Sequence, residues 1–316
     1  IERDEQMNLP SIFLGFLARH ATKFLAIGVL TGLFLPPLAE FMRPALVPAI
    51  FVNLMLALVR LDFGDVAGFL RRPVLLLLFT GFALFVSPVL MAGMAWTIGL
   101  PAGLATGLIL MAASAPITTA ATFALILGLD AAFAIAVTIL THLLLPFTLP
   151  AMALWLLDLE LQISLVEFMG RLAFMIGGSF TLAVVVKRWL LPPARLRHHA
   201  RHIDGLLVVG LMVVAIAIMD EVTDFFFDRP GFVVLTIAAA FIANAVLQVI
   251  GAVAFLPAGR KLAFTAGHMA GNCNMALILA VLANRAEMEV IIFFALAQLP
   301  MYMLPVIATR IYRRFL

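Results

Sequence analysis

Residues 73–157 carry one formally charged side chain, Asp130, over a length of chain that could cross a bilayer three times. No soluble fold accommodates such a stretch, because backbone and side chains alike would be starved of polar surface. The rest of the chain follows the same rule. It is 65% hydrophobic and 12% charged, with a mean hydropathy of +1.16, where soluble domains are about half apolar and a quarter charged. The sequence therefore predicts an all-α integral membrane protein. In lipid every backbone polar group must be satisfied within its own segment, and helices do this.

Proline, glycine and charge punctuate the chain into about ten spans, at 24–38, 44–60, 73–98, 102–128, 131–157, 164–187, 204–220, 231–256, 262–284 and 288–309. Residues 10–22 read as a short interfacial helix, with Phe13, Phe16 and Leu17 set against Arg19 and His20. No cleavable signal peptide is evident, since the first apolar stretch follows the polar lead from Glu2 to Asn8. With the N-terminus placed in the cytoplasm, only Arg43, Arg171, Arg229 and Arg285 of the 20 Lys and Arg fall outside. That asymmetry is the positive-inside rule, and it puts both termini in the cytoplasm of a multi-pass cell-membrane protein. It also accounts for the net charge of +3 without a nucleic-acid partner. The single Cys273 excludes an intramolecular disulfide framework.

Spans one to five and six to ten flank an outside loop near Asp158 to Glu167. Five helices per half insert the second half upside down relative to the first, the inverted-repeat plan of many secondary carriers. The expected repeats are 1–160, with the interfacial helix, and 161–316, with subdomains interleaved across both. The fourth span of each half is irregular. The first reads Ala113-Ser114-Ala115-Pro116-Ile117-Thr118-Thr119-Ala120-Ala121-Thr122, where Pro116 removes a backbone donor. The second reads Gly267-His268-Met269-Ala270-Gly271-Asn272-Cys273-Asn274, with polar groups at membrane depth. Matched interruptions point to fourth and ninth helices that break and cross at a binding site. The plainer alternative for Gly267 and Gly271 is close helix packing through G-x-x-x-G.

Thr118, Thr119, Thr122, Thr138, His268, Asn272 and Asn274 are the candidate substrate ligands. His268, alone ionisable in the second interruption, either carries a proton or is a neutral core histidine. His142 lies one turn after Thr138 on the same face and either joins a proton pathway or bonds a neighbouring helix. Asn244 and Gln248 repeat that spacing on the eighth span, and they either contact the crossover or simply join helices. His198, His199 and His202 read as solvated loop residues beside anionic lipid, and no metal or cofactor site emerges. No nucleotide loop, nucleophile elbow or zinc-protease motif is present, so no enzymatic activity is expected.

The chain resembles the bile acid:sodium symporter family over nearly its whole length. The resemblance rests on Leu61-Asp62-Phe63 followed by Arg71-Arg72-Pro73. It continues through Gly128-Leu129-Asp130 into a span with Val137-Thr138 and Pro146, and through Gly271-Asn272-Cys273-Asn274-Met275-Ala276-Leu277, similar to the ninth-helix motif of bacterial members. It implies a core and a panel domain, broken helices crossing at midplane, a bacterial inner-membrane location, and uptake of an organic anion coupled to two sodium ions. The polar residues expected around sodium are missing. Ala120 and Ala121 stand where the family carries Ser-Asn, and Ala83 stands where it carries Gln before Pro88. Neither register of the ninth-helix motif (Met269, Cys273 and Asn274, or Thr265, Met269 and Ala270) supplies the family's Glu. Thr138 alone keeps its residue type. The expected function is a secondary carrier for a small organic acid without two-sodium coupling. The alternative is a non-transporting subunit, sensor or assembly factor, with a second copy or a membrane-complex protein as partner besides lipid.

Overall fold

A computed structural model describes residues 9–61, 72–157, 164–220, 222–282 and 285–315. The polar lead up to Asn8, Asp62, Phe63, Arg71, Glu221 and most of the midpoint loop lie outside the described residues, as does the Thr122 side chain. The described chain is helical. Seven helices are long and apolar enough to cross a membrane, at Pro36–Arg60, Pro73–Ile98, Ala131–Leu157, Leu165–Leu190, His198–Asp228, Pro230–Ala254 and Met288–Pro305. An eighth is added if the bent pair Ile12–Arg19 and Lys23–Phe34 counts as one span.

The chain divides into two compact units that each take two separate stretches of sequence. Unit 1 holds residues 1–60 and 179–221, and unit 2 holds 61–178 and 222–316. Unit 1 contains α1 (Leu9–Arg19), α2 (Ala21–Phe34), α3 (Pro36–Met42) and α4 (Leu46–Arg60). A short helix does occupy most of 10–22, as α1, and the chain turns by 88° before α2. The expected boundary at 38 is wrong. The chain breaks earlier, at Leu35 (φ −125°, ψ 69°), and the next span begins at Pro36. Proline suits a helix's first position, where its missing N–H costs nothing.

The same effect lengthens the seventh span. After a wide π-turn at Val186–Leu190, α11 begins at Pro193 and runs to Ala217; α10 (Leu165–Val185) precedes that turn. His198, His199 and His202 therefore sit on a helix rather than in a loop. The first two are exposed and their rings meet edge to face at 4.8 Å. Within unit 1, α11 packs against α1, α2, α3 and α4. Gly32 has no room for a side chain, because a Cβ would lie 2.7 Å from the Ile216 carbonyl and 2.8 Å from Met219. Arg60 pairs with both carboxylate oxygens of Asp204, and Arg43 with Asp220 at 2.8 Å.

Unit 2 contains α5 (Pro73–Gly81), a π-turn at Phe82–Val86 and α6 (Ser87–Ile98). The π-turn sits directly before Pro88, whose ring would clash with the carbonyl four residues back in a regular helix. Then follow α7 (Ala102–Ala113), α8 (Ala120–Ile126) and α9 (Ala131–Leu157). Next come α12 (Val222–Asp228), α13 (Pro230–Ala254), α14 (Arg260–Gly271), α15 (Met275–Leu282), α16 (Met288–Leu296) and α17 (Gln298–Phe315). Most of the gap left between the expected spans 204–220 and 231–256 is helical, as α12. An aromatic cluster of Phe79, Phe82, Phe133 and Phe255, with centroids 5.4–6.2 Å apart, ties α5 and its π-turn to α9 and the end of α13. Gly128 ends the α8 segment in the left-handed region (φ 75°). Its neighbour Leu129 donates back to the Ala124 carbonyl at 2.8 Å, the bond that closes a glycine C-terminal cap.

Candidate functional site

Two helical runs in unit 2 stop and restart. The first leaves helix after Ala113 and resumes at Ala120. The second leaves helix after Gly271 and resumes at Met275. Each interruption strands backbone groups that lipid cannot satisfy, at a cost of several kcal/mol apiece. The two solve this for each other. Pro116 and Cys273 lie opposite one another as an antiparallel pair. Ile117 N–H donates to the Asn272 carbonyl at 2.8 Å, and Asn274 N–H donates to the Ala115 carbonyl at 2.8 Å. Pro116 has no N–H to lose, so it fits the position between these bonds.

The side chains of the second linker are used almost completely. Asn274 Oδ1 accepts from Leu277 N–H at 3.3 Å, which makes Asn274 the N-cap of α15. That bond orients the amide, so its nitrogen faces His142 Nε2 at 3.4 Å. His142 Nδ1 in turn lies 2.8 Å from the Thr138 carbonyl and must carry the hydrogen, leaving Nε2 as the acceptor. Of the two readings of His142, the interhelical hydrogen bond is the observed contact. The Thr138 hydroxyl donates to the Ala134 carbonyl of its own helix at 2.8 Å.

Asn272 donates to the His268 carbonyl at 2.8 Å and faces His268 Nδ1 at 3.2 Å. Its Oδ1 has no hydrogen-bond partner, and neither does His268 Nε2. The Ala120 backbone interacts with that ring without completing a hydrogen bond, and Phe123 packs edge-on at 6.4 Å. Thr119 Oγ1 is also buried without a partner, while Thr118 is 8% exposed. His268 and Asn272 are 0% and 1% exposed. Thr122 lies on α8 just beyond the first break.

Support for the second break comes from residues whose role the spacing left open. Asn244 Nδ2 donates to the Gly271 carbonyl at 2.7 Å, an orphan acceptor at the end of α14. Gln248 donates to Asn244 at 2.6 Å, and the Tyr312 hydroxyl donates to Gln248 at 3.3 Å. Burial pushes the Tyr312 phenol up to about 12, so it remains a donor at neutral pH. Gly267 and Gly271 let α14 approach α13 closely. A Cβ on Gly271 would meet Gln248, and one on Gly267 would strike the Gln248 carbonyl oxygen. The packing reading of this G-x-x-x-G therefore holds, and it acts beside the break. A contact that the sequence did not signal joins the turn between α8 and α9 to α14. Asp130 N–H donates to Thr265 Oγ1 at 2.9 Å, while the Asp130 carboxylate caps α9 through Phe133 N–H at 3.0 Å.

Ala83, Ala120 and Ala121 are all buried, at 3%, 0% and 4% exposure. They bring no side-chain oxygen where the family resemblance leads one to expect polar residues.

Seven apolar spanning helices and two interrupted ones that pair through backbone bonds define a multi-pass membrane protein of the transporter class. The chain belongs to the Sodium Bile acid symporter family, which it matches over residues 47–224. The match takes in the first break and stops short of the second. No curated protein matches the chain.

Proposed function

We propose that the protein is a secondary carrier for a small organic anion that works without the family's two-sodium coupling. The observation that carries this reading is the set of unpartnered polar atoms at the paired breaks: Thr119 Oγ1, His268 Nε2 and Asn272 Oδ1. Buried polar groups at membrane depth are expensive unless they serve a ligand or a partner. Counting each interrupted helix and the bent pair as one span gives ten spans, in keeping with two inverted five-helix repeats. Units 1 and 2 then correspond to the panel and core that the family resemblance implies. Thr118, Thr119, Thr122, Thr138, His268, Asn272 and Asn274 remain the ligand candidates. An inner-membrane setting with both termini cytoplasmic fits the charge asymmetry.

The alanines at positions 83, 120 and 121 also support a second reading, a non-transporting subunit that kept the fold after losing its ion sites. Thermal unfolding of the purified protein separates the two. A ligand specific for the folded state raises the melting point by mass action. Stabilisation by a small organic acid in sodium-free buffer supports the carrier. Stabilisation that requires sodium overturns the loss of coupling. No response to any acid, together with a stoichiometric partner on purification, favours the subunit.

A further inference from the structure

We infer that His268 is the coupling-ion site of this carrier. A proton on its imidazole and the carboxylate of the transported anion bind together, each supplying the charge the other needs. This deepens the carrier reading and rests on it.

His268 Nδ1 faces the Asn272 amide nitrogen at 3.2 Å, so in this state Nδ1 holds the lone pair and Nε2 the hydrogen. The Asn272 amide is oriented by its 2.8 Å bond to the His268 carbonyl, which leaves Oδ1 bare. A proton arriving at Nδ1 would set donor against donor. Turning the Asn272 side chain so that its unpartnered Oδ1 accepts from Nδ1–H resolves the conflict, at the loss of the amide's own bond to the His268 carbonyl, from which Oδ1 moves away. The His268 carbonyl keeps a donor through that rotation, since the Asn272 backbone N–H also bonds to it, at 3.3 Å. The site can therefore take up a proton without breaking the pairing of the two linkers.

The same proton leaves a charge that no carboxylate among the described residues pairs with. Among the described residues, His268 forms no ion pair. Neither α8 nor α13 contains an ionisable side chain. The titratable groups on the other elements packed against α14 are Asp130 and His142 of α9, and Tyr302, Tyr312 and the arginines of α17. Arg260 and Lys261 begin α14 itself, and Cys273 lies in the linker. The one carboxylate among them, Asp130, is committed as the cap of α9. A lone buried cation is costly, as is a lone buried carboxylate. Together they cancel, and the unpartnered nitrogen, Nε2, supplies a charge-assisted hydrogen bond to the incoming oxygen. Proton and anion affinities must then be linked reciprocally.

The test is thermal unfolding of the full chain in sodium-free detergent solution between pH 7.5 and 5.5. The probes are C2–C8 monocarboxylates, with alkylsulfonates of matching length that stay ionised throughout. One linked proton tightens binding about tenfold per pH unit, for the sulfonate as well as the carboxylate, and His268→Gln abolishes this slope. Stabilisation that is equal at both pH values, or a slope unchanged in His268→Gln, overturns the inference and leaves the carrier reading standing. Absence of stabilisation by every acid at every pH overturns both. If His268→Gln does not fold, the native protein decides. Adding the stabilising acid to weakly buffered protein at pH 7 should take up one proton per ligand bound, and no uptake sinks the proposal.

Discussion

The two breaks in unit 2 are held open by different means. The first, residues 114–119, is longer and contains a proline, and its backbone relies on the other linker for partners. Its threonines contribute little to holding it, since Thr119 Oγ1 bonds nothing. The second, residues 272–274, is short and held by its own side chains. Asn274 caps α15, and Asn272 ties back to His268. From outside, Asn244 supports the last carbonyl of α14. The first break thus keeps the Thr119 hydroxyl in reserve, whereas the second spends almost all its polarity on structure. The comparison implies that substitutions in the second should cost stability, and those in the first should cost ligand response.

The largest effect is expected at Gly267, whose missing side chain lets α13 lie against α14. Gly267→Leu forces a side chain into the Gln248 backbone and should cost more than about 3 kcal/mol. Its expected readout is loss of monodisperse protein on size exclusion. Gly177, where an added Cβ would meet nothing within 4 Å, should accept alanine with no such loss. Asn274→Ala comes next, because it removes both a helix cap and the bond to His142. A loss of about 2 kcal/mol is expected, read as a clear drop in melting temperature. Thr265→Val strips the acceptor from Asp130 N–H and should cost about 1 kcal/mol. The smallest effect on stability belongs to Thr119→Ala, within about 0.5 kcal/mol of the native protein. The same variant should lose stabilisation by the organic acid. A large stability loss at Thr119 with ligand response intact would erase the contrast between the breaks.

Much of this was legible in the sequence. Apolar runs gave most of the spans, and Pro116 and the Gly267 to Asn274 segment marked where helices fail. Proline misled at span starts. The expected first span runs through Pro36 and the expected seventh begins only after Pro193, but a proline at the first helical position begins a helix as readily as it ends one. The pairing of Pro116 with Cys273 and the tie from Asp130 to Thr265 could not be read, because they join residues far apart in the chain. Periodicity reports only near neighbours. His142 and Asn274 show the same limit: each was a candidate alone, and only the fold makes them partners.

The linker pairing also sets an order of assembly. Ribosomes make roughly 5–20 residues per second, so residues 115–117 wait about ten to thirty seconds for 272–274 to be synthesised. Throughout that interval the Ala115 carbonyl and Ile117 amide lack the bonds they hold in the finished protein, and neither can rest bare against hydrocarbon. The nascent first half must meanwhile keep its break hydrated or sheltered, and a chain truncated before Asn272 would never leave that condition.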